Sequence, residues 1–378
     1  MIYKRVNYPT PFLLVDLEKV REKYRRLKAA LPDAEIFYAM KANPEPRIVR
    51  TLLDEGCGVE VTSTAEFCPL IEAGVHPVRI ISSNPIKQPS FLATLHAAGV
   101  RRMVFDSTVE VDKIARYAPH SQVYLRLKTD NSGSDWPLSN KFGVDPAEAP
   151  GLLRYAASKG LVPFGLTFHV GSQCRNLQNW RTALASCAQV VDQVSDDIQL
   201  EVINLGGGLP IQHTKKIPAL SEIIDVLNEA RISLFRNQVR YHIEPGRFLV
   251  GDSAVLVSSV IGKAQRDDEN WLYLDVGVFN GLMETVEHFA YEFDFDVPVE
   301  RPQKTFTIAG PSCDSMDVMF KRQCIPDLQV DEKFYILNAG AYTGSYACHF
   351  NGFAPPAIVC VNARQTAPVR LNGASVRQ

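Results

Sequence analysis

Short apolar stretches alternate with helical patterns between residues 36 and 245, and this alternation limits the possible folds more than any other feature of the sequence. Each stretch is almost continuously apolar, as in parallel strands that are covered on both faces. We count eight strands: IFYAM (36–40), GVEVT (58–62), RIISS (79–83), RMVFD (102–106), QVYLRL (122–127), FGLTFHV (164–170), LEVINLG (200–206) and VRYHIEP (239–245). Eight strand and helix units over about 210 residues predict an α/β fold, a (β/α)8 barrel of the TIM type, with a doubly wound open sheet as the alternative.

The chain changes character after about residue 248. Segments such as SAVLVSSVIGKAQ (253–265) are strand-like and have few helical patterns between them. Because 378 residues exceed what one hydrophobic core usually organises, we expect two domains. The first is a barrel of residues 20–247, and the second is a C-terminal β-rich domain, sandwich-like or barrel-like, of residues 248–378, which residues 1–19 join through the strand PFLLV.

The charge balance and the N-terminus exclude several kinds of partner. Forty basic and 42 acidic side chains give a net charge of −2, so no sequence-wide field attracts nucleic acid or an acidic membrane surface. The segment MIYKRVNYPTPF lacks the apolar core of a signal peptide, and no apolar run approaches the roughly 18 residues of a membrane span. We therefore expect no nucleic-acid partner and no membrane partner.

The cysteines and the acidic runs carry no sign of a disulfide framework or a metal centre. Eight cysteines lie far apart without a CxxC pair, which is typical of reduced thiols in a large cytoplasmic enzyme. The run HFAYEFDFD (288–296) contains His and acidic residues, but its spacing matches no ligand motif. We expect a cytoplasmic protein without a metal.

Polar and charged residues follow most of the predicted barrel strands. The carboxyl ends of barrel strands converge on one mouth, so residues at those ends share a site even when they are far apart in sequence. The residues at these positions are Lys41, Glu60, Arg126, His169, Ser172, Gly206, Gly207, Gly208, Glu244 and Arg247.

Two of these strand ends favour a phosphorylated cofactor. The glycines 206–208 leave backbone N–H groups unobstructed, and barrels often bind phosphate at the loops after strands 7 and 8, where EPGR (244–247) also lies. A glycine run alone could equally be a tight turn. A phosphate facing Lys41 suggests pyridoxal phosphate, because the amine of a lysine can bond to the aldehyde of this cofactor. Without a phosphate site, the simpler interpretation of Lys41 would be a solvated loop residue. Glu244 would then face the pyridine nitrogen and His169 the ring, although a lone histidine is more often a core residue.

Six motifs in chain order carry a family resemblance. They are YAMKAN (38–43), HVGSQ (169–173), LGGGLP (205–210), EPGRFLV (244–250), GPSCDSMD (310–317) and GAYTGSYACHFNGF (340–353). Together they resemble the fold-type III pyridoxal phosphate-dependent decarboxylases, the group of ornithine, lysine, arginine and diaminopimelate decarboxylases, and most of all its ornithine branch.

The resemblance implies a role for each matching residue. Lys41 is expected as the Schiff-base lysine, His169 as the residue stacked on the ring, Glu244 as the partner of the pyridine nitrogen and Arg126 as their neighbour. The phosphate is expected on Ser172, Gly206, Gly207, Gly208, Gly246, Arg247 and Tyr342. Cys313 is expected as the acid that protonates the substrate carbon, with Asp314, Glu287 and Phe350 around the substrate. The resemblance also implies a homodimer in which Cys313 serves the partner's site.

Two residues depart from the family pattern, and the substrate stays open. Glu60 and Asn204 stand where aspartate is common, which leaves their positioning roles undetermined. Asp314 suits a distal ammonium group, so ornithine is the leading substrate. Lysine, arginine, diaminopimelate, another diamino acid and a carrier-bound substrate are the alternatives, followed by a racemase and by a catalytically silent homologue.

Overall fold

Eight parallel strands form a barrel in the computed structural model, which describes residues 1–138, 140–236 and 238–363. A strand that precedes them, β1 (Phe12–Asp16), belongs to a second sheet. The barrel strands are β2 (Glu35–Ala39), β3 (Gly58–Glu60), β4 (Ile80–Ile81), β5 (Arg102–Phe105), β6 (Gln122–Arg126), β7 (Val162–Thr167), β8 (Val202–Asn204) and β9 (Arg240–Ile243). Their order in the sheet is β4-β3-β2-β9-β8-β7-β6-β5.

Ser82 closes this sheet into a barrel. Its backbone N–H donates to the carbonyl of Arg102 at 3.1 Å, and its carbonyl accepts from the N–H of Val104 at 2.9 Å. These bonds join the end of β4 to β5, the two outer strands of the order above. The predicted barrel of eight strands is therefore confirmed, and the open sheet is wrong.

Helices connect the strands and cover the outside of the barrel. The first of them, α1, begins after Asp16, whose carboxylate accepts from the N–H of Glu18 at 3.0 Å and so caps the helix as its sequence predicts. The helices are α1 (Leu17–Ala30), α2 (Pro46–Asp54), α3 (Thr64–Glu72), α4 (Pro89–Ala97), α5 (Thr108–Tyr117), α6 (Ala149–Ser158), α7 (Leu177–Val194), α8 (Leu220–Ser233) and the short α9 (Arg247–Val250). Among the described residues, none of the helices is both long and apolar enough to cross a membrane.

Large side chains fill the barrel interior. Tyr124 and Phe164 meet edge to face with ring centroids 5.5 Å apart, and the Tyr124 hydroxyl lies 3.0 Å from Nδ1 of His242. Val104 and Val202 complete this buried cluster. Because the interior is packed, chemistry is restricted to the mouth at the strand ends.

A second sheet of eight strands combines β1 with the C-terminal part of the chain. Its other strands are β10 (Ala254–Arg266), β11 (Glu269–Leu274), β12 (Phe293–Phe295), β13 (Gln303–Ala309), β14 (Val318–Pro326), β15 (Lys333–Ile336) and β16 (Ala357–Val361). β1 pairs antiparallel with β10 and parallel with β16. The domain limits at residues 19/20 and 247/248 stay a prediction, and residues 364–378 of the expected second domain lie outside the described residues.

The loop after β15 reaches the barrel mouth. The backbone N–H of Tyr342 donates to the carbonyl of Ala42 at 2.7 Å, and Nδ2 of Asn43 donates to the carbonyl of Gly340 at 2.8 Å. A β-carbon at position 340 would lie 1.9 Å from the carbonyl oxygen of Val250, so this close approach requires glycine. The contact places Tyr342 next to the turn that carries Lys41.

Candidate active site

Lys41 lies on a single 3-10 turn, Met40–Ala42, directly after β2. The strand therefore ends one residue earlier than its apolar run predicts. Nζ of Lys41 is 3.9 Å from Oε2 of Glu60, and its side chain is 55% exposed to the cleft at the barrel mouth. The Glu60 carboxylate raises the pKa of Lys41 above its ordinary value, although partial loss of water around the amine in the cleft opposes this effect. The amine is thus charged before any partner binds.

The cleft beside Lys41 has a volume of about 500 Å³ and largely apolar walls. We call it the Lys41 cleft. Besides Lys41 it is lined by Met40, Pro44, Pro46, Val49, Ala65, Glu66, Pro69, Leu70, Tyr342, Ser345 and Tyr346.

Glu244 follows β9 and is 8% exposed. Its Oε1 accepts from the Ser83 hydroxyl at 2.5 Å and from Nδ2 of Asn204 at 2.5 Å. Burial and the nearby Glu60 carboxylate raise the pKa of Glu244 to about 7, while the two donors oppose the rise. Its Oε2 receives no hydrogen bond from the part of the chain that the structure describes, so this oxygen is available to a ligand.

His169 follows β7 and presents a neutral imidazole. Its Nδ1 accepts from the backbone N–H of Gly171 at 3.0 Å, which leaves Nε2 to carry the proton. Burial, with Arg126 and Lys41 nearby, holds the pKa of His169 well below its ordinary value. A neutral, oriented ring suits stacking against a flat cofactor.

The glycine run after β8 has a conformation that other residues adopt only with strain. Gly206 and Gly208 have φ angles of 62° and 98°. A β-carbon at Gly206 would lie 2.1 Å from the carbonyl oxygen of Phe168. One at Gly207 would lie 3.0 Å from Nε2 of His169. The run is therefore a close backbone approach to His169 and not only a turn.

Arg247, at the start of α9, is held by a residue that the sequence reasoning missed. Nη1 of Arg247 donates to Oε2 of Glu284 at 3.1 Å, and Nη2 donates to Oε1 of the same carboxylate. The rings of Tyr342, Trp136 and Phe289 surround the guanidinium, with centroids 4.8, 4.9 and 5.1 Å from Cζ. Nε is buried and has no hydrogen-bond partner among the described residues.

The other predicted cofactor residues lie around the same mouth. Ser172 forms a short bridge with Trp136, and its N–H donates to the Trp136 carbonyl at 3.0 Å. Gly246 precedes α9, and Arg126 ends β6 with its guanidinium 5.3 Å from the ring centroid of Phe142. Tyr342 lines the Lys41 cleft and contacts Arg247.

The predicted substrate residues lie elsewhere on the chain. Cys313 and Asp314 are exposed on the loop between β13 and β14, where the N–H of Cys313 donates to Oδ1 of Asn351 at 3.0 Å. Phe350 packs on Phe279, with centroids 4.5 Å apart. Within the described residues, no hydrogen bond or ion pair joins Cys313 or Asp314 to Lys41.

Glu287 does not line the Lys41 cleft. It is exposed at the end of the turn Met283–Glu287 and borders a separate, smaller cleft with Trp136, Arg175 and His213. In the acidic run 288–296, Asp294 accepts from Tyr3 and pairs with Lys4. Among the described residues, no cluster of His, Cys, Asp and Glu is arranged to hold a metal ion.

A family comparison decides what this site belongs to. The family model described as pyridoxal-dependent decarboxylase, pyridoxal binding domain, matches residues 17–251. The chain belongs to this family. The match covers every barrel strand and all of the mouth residues named above except those that follow residue 251, which are Glu284, Phe289, Tyr342, Ser345 and Tyr346.

Known relatives of this decarboxylase cover nearly its whole length. A lysine/ornithine decarboxylase of Selenomonas ruminantium is 35% identical over 351 residues, which are 91% of this chain and 88% of the relative. An ornithine decarboxylase of Caenorhabditis elegans is 34% identical over 367 residues, 91% of this chain and 86% of the relative. The crystal structure of a lysine/ornithine decarboxylase from Vibrio vulnificus complexed with cadaverine has a TM-score of 0.88 and 30% identity, and covers 96% of this chain and 97% of that one.

The residues present fit the pyridoxal phosphate of this decarboxylase family. The site offers an accessible amine on Lys41 and a carboxylate oxygen of Glu244 that no described residue occupies. It also offers a buried guanidinium N–H on Arg247 without a partner, and a glycine run without side chains. An amine, an anion and phosphate donors on one mouth are the groups that this cofactor requires.

Sequence reasoning missed Ser83 and Glu284, which form hydrogen bonds to Glu244 and Arg247. Ser83 ends the predicted strand RIISS, and its position at a strand end was a signal that could have been used. Glu284 lies three residues before Glu287, and only its burial against Arg247 distinguishes the two carboxylates.

Proposed function

We propose that this decarboxylase acts on a basic L-amino acid, with L-ornithine as the leading substrate, and releases putrescine and CO2 for polyamine synthesis. The observation that carries the proposal is the meeting of Lys41 and Glu244 at one barrel mouth: Nζ of Lys41 is 3.9 Å from Glu60, and Ser83 donates hydrogen bonds to both Glu60 and Glu244. An amine that can bond to an aldehyde and a carboxylate that can keep a pyridine nitrogen protonated are the two groups this reaction needs. The ornithine and lysine/ornithine decarboxylases among the relatives support this class of substrate.

The cofactor residues follow from the same geometry. Ser172, the N–H groups of the glycine run, Gly246, Arg247 and Tyr342 would hold the phosphate, with Nε of Arg247 as the donor that the described residues leave unpaired. His169 would cover the ring without adding charge, because its imidazole is neutral. Glu244 would meet the ring nitrogen through Oε2.

Each residue then has a defined part in the reaction. When bound, pyridoxal phosphate supplies the electron sink that accepts the electron pair of the broken bond between Cα and the carboxylate. Lys41 must lose a proton before its amine can bond to a carbonyl, and until then Glu60, 3.9 Å away, pairs with the charged amine. Glu244 keeps a proton at the ring nitrogen only while it is itself ionised. Cys313 would deliver the proton that replaces CO2 at Cα.

The exposed position of Cys313 supports a homodimer with shared sites. Cys313 and Asp314 face outward on their own chain, whereas Lys41 lies in a cleft with largely apolar walls. We propose that a two-fold contact places the Cys313 loop of each subunit at the barrel mouth of the other. Asp314 and Phe350 would then complete the substrate end of the partner's site, and Glu287 stays a prediction.

Lysine, arginine, diaminopimelate, other diamino acids and carrier-bound substrates remain alternatives for the same site. A racemase would require a weaker electron sink than Glu244 provides, and a silent homologue would not retain a complete set of cofactor residues. We also propose a cytoplasmic location, since none of the eight cysteines is in a disulfide.

A panel of L- and D-amino acids, scored for CO2 and for the amine product, tests the proposal. We expect the highest kcat/KM with L-ornithine, and a KM for ornithine at least tenfold higher in Asp314→Ala, because that variant loses the anion that faces the distal ammonium. Norvaline, which lacks this ammonium, is the matched control and should be a poor substrate for both proteins. Equal turnover of norvaline and ornithine would exclude a pocket that recognises the distal ammonium. Interconversion of L- and D-ornithine without release of CO2 would indicate a racemase. A protein that takes up no cofactor would be a silent homologue.

A further inference from the structure

We propose that Ser83 and Asn204 are positioning residues that hold one oxygen of Glu244, favour the ionised form of this carboxyl group and leave its other oxygen free at the barrel mouth. Asn204 has this role because its side chain is an amide and not an acid. The inference deepens the proposed function, since it concerns the carboxylate that the reaction needs.

The orientation of the Asn204 amide is fixed from its other end. Asn204 is fully buried, and its Oδ1 accepts from the backbone N–H of Gly206 at 3.0 Å. Because an N–H can only donate, the oxygen must face Gly206, and Nδ2 must face Glu244. The side chain therefore joins the glycine run to the carboxylate.

Ser83 lies between two carboxylates. Its backbone N–H donates to Oε1 of Glu60 at 3.3 Å, while its hydroxyl donates to Oε1 of Glu244. The turn that carries Ser83 is held in place, because Nζ of Lys87 donates to the carbonyls of Asn84 at 2.9 Å and Val104 at 2.6 Å. A rigid turn thus presents one donor to each acid.

The charges around Glu244 explain why donors are needed. Glu60 on β3 raises the pKa of Glu244 by repulsion, whereas Lys41 after β2 lowers it by attraction. The Glu244 charge in turn favours the charged form of Arg126 on β6. Burial favours the protonated acid, and a protonated Glu244 could not keep a proton at the ring nitrogen. An aspartate at position 204 could still accept from Gly206, but it would place a second acid, after Glu60, beside Glu244 in place of a donor.

The test compares Asn204→Asp and Ser83→Ala with Ser82→Ala. Ser82 is the matched control, because it is fully buried next to Ser83 and its hydroxyl has no hydrogen-bond partner among the described residues. In cofactor-free protein labelled with ¹³C-carboxyl glutamate, an infrared pH titration follows the carboxyl bands of glutamates separately from those of aspartates. Subtracting the spectra of the Glu244→Gln variant then isolates the titration of Glu244. We expect the midpoint of the Glu244 titration to rise by about one to two pH units in Asn204→Asp and in Ser83→Ala, and to stay unchanged in Ser82→Ala.

The cofactor-bound enzyme gives a second readout. The acidic limb of the kcat profile should move to higher pH in both test variants, with KM nearly unchanged, because Glu244 must be ionised. A purely structural role would instead lower activity at every pH and leave the infrared midpoint in place. Unchanged midpoints in Asn204→Asp and Ser83→Ala overturn the inference. The infrared titration uses neither cofactor nor substrate, so it tests the inference independently of the proposed function. If only the proposed function failed, the unmutated enzyme would be inactive while the Glu244 midpoints still shifted in the variants.

Discussion

Replacing Glu284 by glutamine should destabilise the cofactor-free protein much more than the cofactor-bound protein. The Arg247 and Glu284 side chains are only 4% and 6% exposed, and the carboxylate takes both terminal nitrogens of the guanidinium. Tyr291 donates a further hydrogen bond to Glu284 at 3.3 Å. Glutamine keeps the volume but removes the charge, so Arg247 becomes a buried cation with no anion paired to it.

The expected magnitudes follow from that change. Breaking a buried ion pair costs about 3 kcal/mol or more of the free energy of unfolding, because one charge stays buried without compensation. A bound phosphate supplies a replacement anion, so we expect a loss of only about 1 kcal/mol in the loaded protein. A thermodynamic cycle converts the difference of about 2 kcal/mol into roughly 30-fold tighter binding of the cofactor phosphate to the folded variant.

Two measurements check this result. Urea unfolding gives the stability loss with and without ligand, and fluorescence titration gives the Kd of 4′-deoxypyridoxine 5′-phosphate, which has the phosphate but no aldehyde to react with Lys41. Glu287→Gln is the matched control, because it removes an exposed charge from the same turn and should change neither quantity. Equal losses in the two states, or weaker binding in Glu284→Gln, would refute the assignment of Arg247 to the phosphate.

Two further predictions concern Glu244 and the dimer. Glu244→Gln should retain the cofactor but lower kcat by orders of magnitude, and near-normal turnover would contradict the role of Glu244. The pKa of Glu244 is raised from 4.5 to about 7 in the folded protein, so its ionisation costs stability that grows as the pH rises from 4.5 and is complete above about 7. Cofactor-free Glu244→Gln should therefore be the more stable protein at pH 8 in urea unfolding, by a margin that shrinks as the pH falls below 7. Lys41→Ala and Cys313→Ala should each be nearly inactive, and subunit exchange between them should restore roughly a quarter of full activity, since half the dimers then contain one complete site. Activity that stays at background after mass-tagged subunits have exchanged would place Cys313 in the site of its own chain.

The sequence predicted the barrel because its signals are local. An apolar run and a capped helix are properties of neighbouring residues, and α1 begins after Asp16 where the sequence places it. Residues at strand ends could also be assigned to one mouth, since the fold itself brings them together. The sequence could not show which residue closes the barrel. β4 and β5 are joined by backbone hydrogen bonds of Ser82, and a backbone bond of this kind does not depend on the side chain.

The missed site residues share a different property. Ser83 and Glu284 act through single contacts with Glu244 and Arg247, which lie 161 and 37 positions away in the chain. Composition and periodicity do not record such contacts. Glu284 and Glu287 are the same residue type on one turn, and only the side on which each carboxylate lies separates a buried partner of Arg247 from an exposed acid.

The two departures from the family pattern have one physical explanation between them. Glu60, one methylene longer than aspartate, reaches both Lys41 and the N–H of Ser83, and it is a source of repulsion on Glu244. That repulsion and burial together raise the pKa of Glu244 to about 7, and they would raise it further if nothing opposed them. Asn204 opposes them, because it puts a donor where an aspartate would add another acid. The longer acid at position 60 and the amide at position 204 therefore act on the same carboxylate in opposite directions, since Glu60 raises the pKa of Glu244 and the Asn204 hydrogen bond lowers it.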